Sequence, residues 1–65
     1  MVDNKFVLNI IRMTDEELLE YLIGEAEARA IYIYQNYPVT EEDWAKIDAR
    51  TDKIETMKAE LLRRM

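Results

Sequence analysis

The amino-acid sequence predicts an all-α protein whose main unit is an antiparallel helical hairpin. Two helix starts have almost the same pattern, Thr14 followed by Asp-Glu-Glu and Thr40 followed by Glu-Glu-Asp, and Pro38 interrupts the chain between them. Threonine caps a helix N-terminus, acids favour its first turn, and proline cannot continue a helix. We therefore expect helices over about 15–36 and 41–64, joined by a connection of about four residues.

Both helix starts carry further signals. Thr14 and Glu17 have the spacing of a capping box, in which each side chain accepts a hydrogen bond from the backbone amide of the other residue. Apolar pairs occupy the positions of a hydrophobic staple at the two starts: Met13 with Leu18, and Val39 with Trp44. The segment 30–34 alternates like a strand, but it continues a capped helical pattern, so we assign it to the first long helix.

The N-terminal segment is too apolar for an exposed tail. Its apolar side chains are Phe6, Val7, Leu8, Ile10 and Ile11. The periodicity leaves two possibilities open: a short helix capped by Asp3 or Asn4, or an extended arm. Residues 1–65 are expected to form one small helical domain, in which 1–13 is the N-terminal segment and 14–65 is the hairpin.

The first long helix has two apolar faces, whereas the second has one. The broad face, expected to be the core, holds Leu18, Leu19, Leu22, Ile23, Ala26, Ala30, Ile33, Tyr34 and Tyr37. The single stripe of the second helix holds Trp44, Ile47, Thr51, Ile54, Met57, Leu61, Leu62 and Met65. The single stripe of the second helix can cover only one face of the first, so one apolar face of the first helix is expected to stay uncovered within the hairpin.

The second face of the first long helix is the predicted partner-binding site. It holds Tyr21, Gly24, Ala28, Ile31 and Tyr32. Phe6 and Ile10 of the N-terminal segment are expected to compete for the same groove. Gly24 inside a helix is unfavourable, and we expect another backbone to approach closely there.

The composition restricts the chemistry. The 65 residues carry a net charge of −5 and include no histidine, cysteine or serine, so most nucleophile, imidazole and zinc arrangements cannot be built. We expect no enzyme activity, no catalytic residue, no metal site and no cofactor. The acidic balance argues against direct nucleic-acid binding, and no apolar run is long enough for a membrane, so we expect no membrane partner and a cytoplasmic location.

A chain of this size buries only about 60% of its unfolded surface and is marginal alone. Without disulfides or metals, association is the usual reinforcement. We therefore expect a protein partner, and a homodimer that forms a helical bundle. In outline such a dimer resembles the Rop family of dimeric hairpin proteins, which bind RNA, although no motif is shared and no basic face is present.

The sequence thus favours a non-enzymatic protein–protein interaction module: a small regulator, inhibitor or assembly subunit that acts through an apolar helix face. One alternative is an acidic mimic of nucleic acid that inhibits a DNA- or RNA-binding protein. A remote alternative comes from Glu16-Glu17-Leu-Leu-Glu20, which resembles half of the magnesium site of all-α NTP pyrophosphatases. The second half, Glu-x-x-Asp, is missing from this sequence.

Overall fold

The computed structural model describes residues 2–37 and 40–65, and over these residues the chain is helical without strands. Helix α1 is Asn4–Arg12, α2 is Asp15–Asn36 and α3 is Glu41–Arg64. Helices α2 and α3 pack together as a hairpin, and α1 packs across it. The hairpin is antiparallel. Asp15 at the start of α2 contacts Arg64 at the end of α3, and Tyr32 contacts Asp43 near the connection. The predicted fold class is confirmed, and the dimer stays a prediction.

The predicted helix starts are confirmed. The Thr14 hydroxyl accepts a hydrogen bond of 3.1 Å from the Glu17 amide, and the Glu17 carboxylate accepts one of 2.9 Å from the Thr14 amide. These bonds, above all that from the Thr14 backbone, lower the pKa of Glu17. At α3, the Thr40 hydroxyl accepts from the Asp43 amide at 3.1 Å. Val39 and its expected staple with Trp44 lie outside the described residues.

The N-terminal segment is a helix, which resolves the alternative left open by its sequence. The Asp3 carboxylate accepts a 2.8 Å hydrogen bond from the Phe6 amide and is the cap. Helix α2 ends at Asn36 as expected, and residues 30–34 are helical. The chain leaves α2 through Tyr37, which has a left-handed backbone with φ of 44°, and Pro38 lies outside the described residues.

The apolar core lies at the end of the hairpin where all three helices meet. Ile10, Leu18 and Met57 are almost completely buried there. A second layer of partly buried side chains surrounds them: Phe6, Met13, Leu22 and Leu61. Ile47, nearer the connection, is also buried. Burial is therefore concentrated at the α1 end of the molecule.

From the middle of the hairpin towards the connection, polar groups add to the apolar contact that Ile47 makes between α2 and α3. Arg50 donates to the Glu25 carboxylate at 2.9 Å, and Tyr32 donates to Asp43 at 3.2 Å. Between them Arg29 donates to the Thr51 hydroxyl at 2.8 Å. The α2 residues on this contact line have alternating spacings of four and three, which is the heptad pattern of a helix pair. They are Leu18, Leu22, Glu25, Arg29 and Tyr32. This line of residues is named the seam.

The position of the seam corrects the predicted core. Some residues that were expected in the core are at least partly buried, as predicted. On α2 they are Leu18, Leu22 and Ile33, and on α3 they are Ile47, Thr51, Ile54, Met57 and Leu61. The prediction is wrong for these residues, which are exposed: Leu19, Ile23, Ala26, Ala30, Tyr34, Tyr37, Trp44, Leu62 and Met65. The physical reason is that α3 packs along the boundary between the two apolar faces of α2, where Glu25 and Arg29 find partners.

Arg64 joins the three helices at the core end. Its guanidinium donates to the carbonyl oxygens of Ile10 and Ile11, at 3.0 and 3.1 Å, and so satisfies the last turn of α1. It also donates at 2.8 Å to Asp15 at the first turn of α2 and at 2.8 Å to Glu60 on α3. One side chain therefore fixes the end of α1, the start of α2 and the last turns of α3.

Glu60 completes this cluster. The side chain is 7% exposed, and its carboxylate accepts two hydrogen bonds from Arg63 and one from Arg64. These hydrogen bonds outweigh the opposing effect of burial and lower the pKa of Glu60 from its ordinary 4.5 to about 2.

We predict that Met57→Ala lowers the free energy of unfolding by about 2 to 5 kcal/mol, because it opens a cavity in a small core. Leu62→Ala on the same helix is the matched control, since Leu62 is 66% exposed. Its cost should be about 0.5 kcal/mol or less. Urea unfolding followed by circular dichroism measures both, and equal losses would contradict the assignment of the core.

The Glu60 cluster should make the free energy of unfolding depend on pH in the acid range. A carboxyl with a lowered folded-state pKa contributes stability that is complete above its ordinary pKa. That contribution should be lost as the pH falls from about 4.5 towards about 2. Glu60→Gln should remove this part of the pH dependence and lower stability at pH 7. Urea midpoints at several pH values test this, and parallel acid profiles of the two proteins would contradict it.

Candidate protein interface

The predicted partner-binding face of α2 is partly covered by α1. The rings of Phe6 and Tyr21 meet edge to face, with centroids 6.3 Å apart, and the Lys53 ammonium lies 5.8 Å from the Phe6 centroid. Ile10 is buried one helical turn further along α1. Phe6 of α1 therefore covers the part of this face beside Tyr21, whereas Ile10 packs in the core with Leu18 and Met57.

The rest of that face is only partly available. Ala28 and Tyr32 are half-buried, while Gly24 and Ile31 are exposed. Burial and the hydrogen bond to Asp43 raise the pKa of Tyr32 and tie its hydroxyl to α3. A Cβ built on Gly24 would meet nothing within 4 Å, so the expected close approach of another backbone to Gly24 is not found within the described residues.

A polar cleft of about 360 Å³ lies on the same side of the hairpin, between Tyr32 of α2 and Lys46 of α3. Its other polar groups already have contacts within the chain. Arg50 pairs with Glu25, and Lys53 lies over the Phe6 ring. We therefore assign no ligand to this cleft.

The opposite side of the hairpin carries the larger apolar surface. Leu19 and Ile23 of α2 are 49% and 48% exposed, and Ala26 and Ala30 continue their line. Half-buried Ile33 ends this line. The successive spacings from Leu19 to Ile33 are four, three, four and three residues, so the five side chains form a second heptad stripe beside the seam. This stripe is named the open stripe. Between Glu16 and the end of α2, this flank carries no charged residue.

Helix α3 borders the open stripe with a mixed surface. Its apolar groups are at the ends: Trp44 is 50% exposed near the connection, and Leu62 and Met65 are 66% and 95% exposed at the other end. Its middle turns are polar or charged: Asp48, Thr51, Glu55 and Lys58. A depression of about 440 Å³ lies between Leu19, Leu61 and Met65, at the end where the helices are most apolar. The open stripe and this bordering surface together form the open face.

The sequence did not predict that the open stripe is exposed, because the same residues were assigned to the core. The overlooked signal was the pair Glu25 and Arg29. Placing these residues on the contact line allows both to bind polar groups of α3, at Arg50 and Thr51. The exposed part of the broad face, which is the open stripe, then has no cover within the described residues.

Over 2–37 and 40–65, no helix combines the length and apolar character needed to cross a bilayer. No group of three or more acidic, histidine or cysteine side chains there is arranged to hold a metal ion. In the pyrophosphatase-like run, Glu17 takes part in the capping box of α2.

Comparison with protein-family models, with curated proteins and with solved structures gave no match.

We predict that Phe6→Ala loosens α1 from the hairpin, because it removes the ring that contacts Tyr21 and Lys53. Amide hydrogen exchange in residues 4–12 should become at least about tenfold faster, while exchange in the middle of α3 changes less. Leu8→Ala is the control, since Leu8 is 53% exposed on the same helix. Unchanged protection of 4–12 in Phe6→Ala would show that α1 is held without this contact.

Proposed function

We propose that this chain is a non-enzymatic protein–protein interaction module that acts by laying its open face against another protein surface. Such a protein would serve as a small regulator, inhibitor or assembly subunit. The observation that carries the proposal is the open stripe, a continuous apolar line on α2 whose large side chains are about half exposed. Contiguous exposed apolar surfaces of this kind mark interaction sites.

The total surface of the molecule supports this proposal. The accessible surface is 5076 Å². A compact monomer of 7.8 kDa exposes about 4,400 Å². The radius of gyration of 12.7 Å also exceeds the value of about 11 Å for a compact chain of this length. The excess of several hundred Å² is what remains when a hairpin is covered on one side only.

The arrangement of charges disfavours the acidic mimic of nucleic acid. Its candidate groups are Asp15, Glu16, Glu17, Glu20 and Glu27 on α2, with Glu41, Glu42 and Asp43 on α3. Because the hairpin is antiparallel, the acidic first turns of α2 and α3 lie at opposite ends of a molecule 37 Å long. Asp15 is paired with Arg64. A dispersed and partly neutralised set of acids does not imitate a row of phosphates.

The partner proposed is a protein, and a second copy of the chain is the first one to test. Direct binding to nucleic acid is not part of the proposal, since the chain lacks a basic stripe. Neither enzyme activity nor a cofactor is part of it. A cytoplasmic location is proposed as well, on the ground of a cysteine-free composition.

Two isoleucines of α2 with similar exposure give a matched test, because they lie about 80° apart around the helix with Glu27 between them. Ile23 on the open stripe is 48% exposed, and Ile31 on the face predicted from sequence is 54% exposed. Ile23→Glu should weaken association at least about 100-fold, because an unpaired carboxylate would be buried against the partner. Ile31→Glu adds the same charge outside the open face and should bind like the unaltered chain.

Association is measured by sedimentation over a concentration series and, for a different protein, by retention on the immobilised chain. Circular dichroism confirms that both variants fold. Self-association should strengthen as salt rises, since salt screens the repulsion between chains of charge −5. Binding of an acidic mimic would weaken instead. Two results would contradict the assignment of the open face as the interface: equal binding by Ile23→Glu and Ile31→Glu in both assays, or a loss of binding in Ile31→Glu alone.

A further inference from the structure

We infer that the open face is covered by a second copy of this chain, with the two α2 helices antiparallel across a two-fold axis near Ala26. This inference rests on the proposed function and names the partner and its orientation. The result is a four-helix bundle with α2 of each protomer at the centre and the two α1 helices on the outside.

The available area suits a second copy of the same size. The molecule measures 37 Å along the hairpin and 20 and 16 Å across it. A face of these dimensions offers on the order of 600 to 700 Å², close to the roughly 800 Å² that each partner buries in a standard stable interface. The open stripe from Leu19 to Ile33 is about 21 Å long, so a second hairpin of 37 Å covers it in full.

The open stripe is suited to pairing with itself. Its ends carry Leu19 and Ile33, and its middle carries Ala26 and Ala30. When two stripes run antiparallel about Ala26, Leu19 lies level with Ile33 of the partner subunit, and the two copies of Ala26 meet in the middle. Small residues at a crossing allow helix axes to approach to about 8 Å, which gives close packing over the whole stripe.

The charges of α3 decide between the possible two-fold arrangements. The register of the hairpin follows from cross-hairpin pairs such as Glu25 with Arg50. In this register Thr51 of α3 is level with Ala26 of α2. One and two turns further along α3, Glu55 is level with Ile23 and Lys58 with Leu19. Glu55 and Lys58 pair with each other at 3.6 Å and are both exposed. If α2 packed on the partner's α3, this ion pair would be pressed against an uncharged apolar stripe and would lose water without gaining a further partner, which is unfavourable. Pairing α2 with α2 leaves this pair at the solvated rim.

Cysteine cross-linking tests this arrangement directly, because the natural chain contains no cysteine. Ala26→Cys and Ala30→Cys are matched probes, since both alanines are exposed on the open stripe. In the antiparallel arrangement the two copies of residue 26 face each other. The two copies of residue 30 are displaced by about 12 Å along the helices, beyond disulfide reach.

We expect the pure chain to double its mass with concentration in light scattering. Ala26→Cys should cross-link to a dimer under mild oxidation at least about tenfold faster than Ala30→Cys. A mixture of Ala26→Cys with Thr51→Cys should give no mixed dimer beyond the background of random collision. Circular dichroism confirms that each variant is helical, so that a failure to cross-link reports geometry.

Three other results would each overturn the inference. Fast cross-linking of both Ala26→Cys and Ala30→Cys means that the α2 helices are parallel. Efficient linkage only in the Ala26→Cys and Thr51→Cys mixture means that α2 packs on the partner's α3. A mass that stays at one copy excludes a second copy as the occupant. The proposed function is then tested separately with the immobilised chain. Retention of a different protein that is lost in Ile23→Glu and kept in Ile31→Glu would support it, and the absence of such retention would contradict it.

Discussion

The contact line between α2 and α3 is the constraint on which the rest of the structure depends. Helix α2 is apolar on both flanks, and the line between those flanks carries Glu25 and Arg29. Helix α3 packs on that line, so α1 covers the part of one apolar flank beside Tyr21 and the other flank is left outside. A rotation of α2 by about one residue, roughly 100°, would bury the open stripe and break both polar contacts.

The ends of the hairpin are held by different interactions. At the α1 end, Ile10, Leu18 and Met57 exclude water, and Arg64 satisfies the last carbonyl groups of α1. Near the connection, the helices are joined by Glu25 with Arg50 and by neighbouring polar pairs. Apolar contacts tolerate small rotations, whereas paired charges on a helix interface favour one register. We infer that the apolar end supplies most of the stability and that the polar end selects the rotation of α2.

The local structure was predictable from the sequence, and the rotation of the helices was not. Thr14 with Glu17, and Thr40 with its acidic first turn, define helix starts through contacts between residues three apart. The helical state of residues 30–34 followed from continuity with a capped helix. In contrast, the choice of buried face depends on contacts between residues 22 to 25 positions apart, such as Arg29 with Thr51 and Glu25 with Arg50. Hydrophobic periodicity of α2 alone favours the broad face for the core and gives no weight to these pairs.

The candidate site was predicted only in part for the same reason. An apolar surplus on α2 was expected, and Phe6 was expected beside Tyr21, where its ring lies. Part of that surplus was assigned to the core, because Leu19, Ile23, Ala26 and Ala30 were expected to be buried and are exposed on the open stripe. Functional surfaces and cores are both apolar, so only the packing of α3 separates them in this chain.

Hydroxyl-radical footprinting of the concentrated chain tests most directly whether the open stripe is a working surface. Leu19, Ile23, Leu8 and Ile31 are all about half exposed in a single copy. If the stripe is covered by protein in solution, oxidation of Leu19 and Ile23 should fall several-fold on raising the concentration, or on adding a cognate partner, while Leu8 and Ile31 stay reactive. Uniform oxidation of all four side chains under every condition would contradict the account.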